Sequence, residues 1–442
     1  MSAAGTDRIA SDPQLPGLDV LFEPERLLGA LSSARLPRAT PRPTGVSLDY
    51  LRLKRGRSAI ASGRLRFGED EKDGRLFSVR ILERSRLVPA AEAWLGRGDG
   101  AVLVPELSGL VFLYPADPAL RALPRVFDPD SLKRAMTALH RSAGDPHIRF
   151  RALGLSIETV RYKAARRAVL RAGIRFKREP GPGGVKEKGA LRFFLRVAGV
   201  DPSTRLRRRV ALHAAAAAAG VLTPRPIGAL PRLQAIVEEE AAIEARPVTP
   251  RDLGRVAARL HRGAPVPDRV VPDLDEEGLD RAALDAVDAL LPELAERARR
   301  IAGRAAAARE EARAGGADRR ALLHGDLAPD QAFPTRDESG SVVLLDLDRA
   351  AVGPPSADVA SALARYEYLA TIGTSAGDDD ARESAAEFLA GYAEFAPLPP
   401  ARAIDARVAS SLLRLATAPA RSFRPRFRAE AEAVLDRAEA RV

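Results

Sequence analysis

The residues best placed to do chemistry stand in two stretches, 321–331 "ALLHGDLAPDQ" and 341–350 "SVVLLDLDRA". Asp326 follows His324 and Gly325, Gln331 comes five residues later, and Asp346 and Asp348 close the second apolar run. Between Gln331 and Asp346 lie a short apolar stretch, the turn signal "RDESGS" and a second apolar stretch. That order predicts a β-hairpin that returns Gln331 towards Asp346. An amide oxygen and a carboxylate brought together, with a second carboxylate beside them, suit Mg2+, a hard cation completed by water and phosphate oxygens. Asp326 is then left to orient a substrate hydroxyl and accept its proton during phosphoryl transfer, in which the protein mostly positions groups and neutralises charge. A polar loop capping a hairpin would account for His-Gly-Asp alone, but not for the loop, the amide, the hairpin and the terminal carboxylate in this order.

The chain that must position these groups has 442 residues, 46% of them hydrophobic, enough for two or three domains with substantial cores. Its net charge of +11 invites a nucleic-acid reading. However, the arginines are scattered, and no zinc spacing, basic region with heptads or aromatic-basic RNA motif accompanies them, so no specific nucleic-acid binding is expected. An anionic substrate or nucleotide fits the charge as well. There is no cysteine, hence no disulfide and no thiolate chemistry. Residues 1–18 lack the apolar core of a signal peptide and no 18-residue apolar run exists, so a soluble, cytoplasmic protein without a membrane partner is expected.

The first half contains a repeat. Residues 46–67 and 155–176, aligned without a gap at an offset of 109, agree at seven of 22 positions, including Arg52/Arg161, Lys54/Lys163, Arg57/Arg166 and Phe67/Phe176. Both copies alternate as strands do, with a basic turn after the first strand and a hairpin after the second, long and glycine-rich in the second copy ("KREPGPGGVKEKG"). A helix is expected from Pro202 to Ala219, then a strand in "QAIVEEEAAI" that runs into a connector. Beyond Thr249 the periodicity turns helical, in "TPRDLGRVAARLHRG", from Leu279 to Ala314, and after Ala357. The shared order of strand, basic turn, strand, Gly and strand favours duplication over a chance match.

"LLHGDLAPDQ" together with "VVLLDLDRAAVGPPSADVA" resembles the aminoglycoside phosphotransferase/choline kinase-like family, of the protein-kinase-like fold. The resemblance covers roughly 151–442 and is most specific in its C-terminal part. It implies an α+β, bilobal fold: a flexible N-terminus (1–18), a degenerate small-lobe-like domain (19–150), a small nucleotide lobe (151–245) and a helical catalytic lobe (246–442). Asp326 would be the catalytic-loop base, with His324 and Gly325 shaping its loop, and Gln331 and Asp346 would be the Mg2+ ligands. Asp358 would brace the helical lobe, and His261 would be structural.

The small lobe departs from the family pattern. The covering turn "KAARR" has no glycine, Arg196 stands where a strand lysine is expected, and the helix after it has no glutamate to hold that residue. Arg196 could still neutralise phosphate. Lys163, Arg166 and Arg167 could meet the phosphates from above or form a solvated turn, and Glu238, in the strand before the connector, joins the nucleotide-contacting candidates. The expected function is transfer of the γ-phosphate of ATP or GTP to a hydroxyl of a small sugar, nucleoside or metabolite alcohol. The alternatives are a kinase-like scaffold subunit without catalysis and a kinase acting on a peptide side chain. A protein or peptide partner could be recognised through residues 19–150.

Overall fold

The computed structural model describes all residues except 1–6, 35, 37–39, 69–73, 96–99, 146, 179–186, 268–269, 317–318, 338–339 and 375–376. The fold is α+β as expected, with sheets in the N-terminal part and helices in the C-terminal part. The chain divides into two compact units, one of Met1–Leu206, Pro226–Glu240 and Ala420–Pro425, the other of Arg207–Arg225, Ala241–Pro419 and Arg426–Val442. The glycine-rich hairpin expected in 177–189 and the turn expected in 336–341 lie partly outside the described residues. Among the described residues no helix is long and apolar enough to cross a membrane.

The first unit holds two antiparallel five-stranded sheets. One consists of β1 (Gly45–Lys54), β2 (Ser58–Arg66), β3 (Arg75–Leu82), β4 (Ala101–Val104) and β5 (Gly109–Leu113). The other consists of β6 (Ile148–Lys163), β7 (Arg167–Arg178), β8 (Glu187–Ala198), β9 (Pro226–Leu230) and β10 (Ala235–Glu239). Their strand orders, β1-β2-β3-β5-β4 and β6-β7-β8-β10-β9, follow the same path. In each, a short turn starting at proline joins the last two strands (Pro105–Leu107, Pro231–Leu233) and ends on a left-handed residue, Ser108 or Gln234. The first hairpins close alike, Lys54 opposite Ser58 and Lys163 opposite Arg167, at the offset of 109 seen in the sequence.

The correspondence also begins before the strands. Residues 12–27 and 117–132 share Asp, Pro, Leu, Leu, Phe, Pro and Leu at matching places. Periodicity does not reveal this match because it lies in loops and helix starts. In both copies the leading Asp is buried and its two oxygens work separately. Asp12 accepts from Gln14 N–H (3.1 Å) on one oxygen and from Gly56 N–H (2.7 Å), in the first hairpin turn, on the other. Asp117 accepts from Ala119 and Leu120 N–H (2.7 and 2.9 Å) on one oxygen and from Ala165 N–H (2.8 Å), in the equivalent turn, on the other.

The core of the second sheet follows from strand alternation: Ala168, Leu170, Ala172 and Ile174 of β7 and Phe193, Leu195 and Val197 of β8 are buried at every second position. Helix Pro129–Ser142 contributes Leu132 and Met136 to this core. That helix starts with Pro129 in its first turn, and its N-cap Asp128 accepts from Asp130 and Ser131 N–H.

The second unit is mainly helical: Pro250–Gly263, Glu276–Leu290, Ala295–Ala314, Ser356–Thr371, Asp378–Ala393, Ala401–Leu415 and Phe427–Glu439. The alanine-rich region is two helices, interrupted where Leu291 leaves helical geometry (φ −140°) just before Pro292. Four short strands interrupt the helices: β11 (Ala321–Leu323), β12 (Ala332–Pro334), β13 (Val342–Leu344) and β14 (Ala351–Gly353), paired β11 with β14 and β12 with β13.

Candidate active site

Both opening stretches are held by these two strand pairs. Leu323 pairs with Ala351, so the His324–Asp326 loop leaves β11 where the Asp346–Ala350 segment enters β14. Ala332 pairs with Leu344, and Leu345 N–H donates to Gln331 C=O at 2.7 Å. The expected hairpin therefore forms and sets Gln331 beside Leu345, the residue before Asp346.

The loop is pinned from below by Asp358, at the start of helix Ser356–Thr371. One carboxylate oxygen accepts from His324 N–H (2.6 Å) and from His261 Nε2–H (3.0 Å), and the other accepts from Gly325 N–H (2.8 Å). Burial alone would raise the Asp358 carboxyl, but the His261 hydrogen bond and charge, with His324 and the Gly325 N–H, outweigh it and hold it below the ordinary value. His261, buried within helix Pro250–Gly263, also meets the Tyr392 hydroxyl at 3.0 Å through Nδ1. Burial pushes that hydroxyl above its ordinary value, with the Asp358 charge adding to the effect.

His324 is fully buried, and its ring is spent on the backbone. Nε2–H donates to Leu345 C=O (2.8 Å), which leaves Nδ1 to accept from Asp326 N–H (3.3 Å). It thus ties the loop to the end of the hairpin. Gly325 is required twice over: its φ is +79°, and a Cβ there would stand 2.0 Å from Arg349 O. The Asp326 side chain, 38% exposed, has Arg349 Nε 3.8 Å from one oxygen.

Asp346 itself is left-handed (φ 57°, ψ 46°), a strained state that aspartate tolerates better than most residues. Two arginines of helix Pro202–Ala218 hold the segment after it. Arg208 donates to Ala350 C=O (2.6 Å), and Arg209 pairs with Asp348 at 3.5 Å. The arginine-rich face of that helix, legible only as charge, therefore serves to position the Asp346 turn.

Among the described residues no group of three or more His, Cys, Asp or Glu converges to hold a metal ion. Gln331 Oε1, however, is buried without a hydrogen-bond partner among the described residues. An orphaned amide oxygen is costly to bury and is what a cation ligand would be. Gln331 and Asp346 therefore fit Mg2+, which is normally held by one or two protein oxygens plus phosphate and water.

In the first unit the structure corrects one expectation. Arg196 does have a holding partner, supplied by a strand rather than a helix: its Nε donates to Glu238 Oε2 at 2.6 Å. The pair is buried, with side-chain exposures of 12% and 2%. Arg80 of β3 stands opposite Leu110 as Arg196 stands opposite Ile236, but the position matching Glu238 is Phe112, packed edge-on against Trp94 at 5.4 Å. The first sheet thus keeps the cation and lacks the carboxylate. Lys163 ends β6 and Arg166 lies in the turn that follows, exposed, with its N–H donating to Lys163 C=O at 3.0 Å. Removing the carboxylate in Glu238→Ala leaves a buried cation, which is expected to lower the stability of the first unit by about 3 kcal/mol. Chemical denaturation followed by fluorescence of Trp94, the sole tryptophan, checks this, and an unchanged midpoint would show the pair to be dispensable.

Residues 184–400 match the model of the phosphotransferase enzyme family. No curated protein sequence matches the chain significantly. Among solved structures, the chain is similar to a choline/ethanolamine kinase family protein from Mesorhizobium loti, at 16% identity over 71% of this chain and 94% of that one, TM-score 0.42. It is similar to an ethanolamine kinase of Plasmodium vivax, at 11% identity over 75% and 98%, TM-score 0.46. It is similar also to a macrolide 2′-phosphotransferase from Brachybacterium faecium, at 18% identity over 70% and 98%, TM-score 0.38.

Proposed function

We propose that this protein, whose residues 184–400 match the model of the phosphotransferase enzyme family, transfers the γ-phosphate of ATP or GTP to a hydroxyl of a small molecule. The observation that carries the reading is the buried, unpartnered Gln331 Oε1 at the foot of the hairpin that ends in Asp346. Gln331 and Asp346 would hold Mg2+, which when bound neutralises charge on phosphate oxygens. Asp326 orients the acceptor hydroxyl and takes its proton on a carboxylate oxygen. Its loop is kept in place by Asp358, by His324 and by the absence of a side chain at Gly325, so the base is preorganised before substrate arrives. In the first unit, Arg196 offers a fixed guanidinium to nucleotide phosphate, its orientation set by Glu238. The first sheet, which lacks that carboxylate, is read as a duplicate that keeps the frame without the phosphate site.

The charges near Asp326 favour a neutral or anionic acceptor. Arg349 stands beside it, and the Arg414 guanidinium is also within its field. Burial works against the charge of Arg414, and Asp280, Asp326 and Glu276 support it. Of these acids, Asp280 pairs with Arg309 and, at 3.6 Å, with Arg414 itself, and Glu276 pairs with Arg407, so the acids nearest Arg414 already face arginines.

A phosphate-transfer screen over hydroxylated metabolites, with ATP and GTP and with Asp346→Ala as control, tests this reading. Transfer to a neutral or anionic acceptor that disappears in Asp346→Ala is expected. A wild-type protein that neither transfers phosphate nor binds nucleotide in a Mg2+-dependent way would refute it.

A further inference from the structure

The turn Lys163–Arg167 has no glycine, yet Ala165 at its tip is left-handed (φ 54°). Alanine resists that conformation, so something must hold it there. The holder is Asp117, from the segment that follows the first sheet. Its side chain is almost fully buried, and one oxygen accepts both Ala165 N–H (2.8 Å) and the Tyr162 hydroxyl (2.7 Å). Its other oxygen is fixed by Ala119 and Leu120 N–H, so the carboxylate cannot swing away. Tyr162 is held in turn, its ring edge-on to Tyr114 at 5.0 Å, and Tyr114 OH meets Thr159 Oγ1 at 2.8 Å.

We propose that Asp117 is a positioning residue for nucleotide binding: it presets the Lys163–Arg167 turn so that its basic side chains meet the nucleotide phosphates from a fixed backbone. This rests on the phosphotransferase reading above. A covering turn usually relies on glycine to reach phosphates and must then be ordered on binding. A turn already clamped avoids that ordering and does not need the glycine. The segment that follows the first sheet thereby gains a role in the nucleotide site of the second sheet.

The molecule supplies its own control. Asp12 holds the equivalent turn of the first sheet through Gly56 N–H, at φ +64°, in a copy where Phe112 replaces the Glu238 carboxylate. A bracket that serves only the fold should behave alike at both places.

The test uses the full chain with Asp117→Asn, Asp12→Asn and Tyr162→Phe. It measures Mg-ATP affinity by calorimetry, melting by Trp94 fluorescence, and tryptic cleavage at Lys163, Arg166 and Arg167. Asp117→Asn is expected to weaken Mg-ATP binding about tenfold, the equivalent of one charge-assisted hydrogen bond. It should also open the turn to trypsin, whereas in the wild type Mg-ATP slows cleavage there. Asp12→Asn should lower the melting temperature without moving the affinity. Tyr162→Phe, which keeps the Ala165 bond, should shift affinity in the same direction by a smaller factor. Equal shifts for Asp117→Asn and Asp12→Asn, or none for Asp117→Asn, would overturn the proposal and leave the phosphotransferase reading standing. If Asp117→Asn does not fold, unchanged affinity in Tyr162→Phe overturns it. A wild-type chain that binds no Mg-ATP refutes the phosphotransferase reading and this proposal with it.

Discussion

Asp326→Asn is expected to reduce phosphate transfer by about 10²–10⁴-fold, the usual weight of a positioned general base. Mg-ATP affinity should stay within a factor of about two, well under 1 kcal/mol. Asparagine preserves the shape and can still accept a hydrogen bond, but it cannot take a proton at neutral pH. The loop that carries the residue depends on backbone groups: His324 and Gly325 N–H on Asp358, and Asp326 N–H on His324 Nδ1. None of these uses the Asp326 side chain, so the substitution should leave the fold intact. Steady-state transfer rates alongside calorimetry decide the matter. Unchanged turnover would remove Asp326 from the role of base, and lost binding would make it a nucleotide ligand instead.

Asp358→Asn should cost about 3 kcal/mol or more, because it strips charge from a fully buried acceptor of three donors. The new NH2 would face one of those donors, and His261 would lose its anionic partner. Since the folded carboxyl titrates below its ordinary value of 3.8, its contribution is complete above that pH and is lost as pH falls through the folded value. The gap in stability between wild type and variant should therefore be full at neutral pH and shrink in acid. Urea denaturation monitored by circular dichroism at pH 7 and near pH 3 checks both parts. A gap below about 1 kcal/mol at neutral pH would mean that the loop is held by other contacts.

Much of the candidate site was legible because its parts are close in sequence. His324, Gly325 and Asp326 are consecutive, and the hairpin formed by Ala332–Pro334 and Val342–Leu344 brings Gln331 to the residue before Asp346. The likeness of the two strand sets was legible for the same reason, since strand alternation and the basic turn are short-range patterns. The upstream likeness from Asp12 and Asp117 lies in loops, which have no period to mark it. The partner of Arg196 is not legible because it is no helix glutamate: the carboxylate comes from a strand two ladder positions away.

The amino-acid sequence by itself determined the chemistry on offer and the order of the elements that carry it: apolar strands ending in acids, the glycine before Asp326, two strand sets with basic turns, and a helical second half. Tertiary structure alone decided which distant group completes each of them. Glu238 lies 42 residues from Arg196, Asp358 lies 33 from Gly325, and Asp117 lies 48 from Ala165. Local periodicity says which face of an element is buried. It does not say which of 59 acidic residues will share that interior with a given donor. That choice is made when packing brings the elements together and each buried polar group must find its partner.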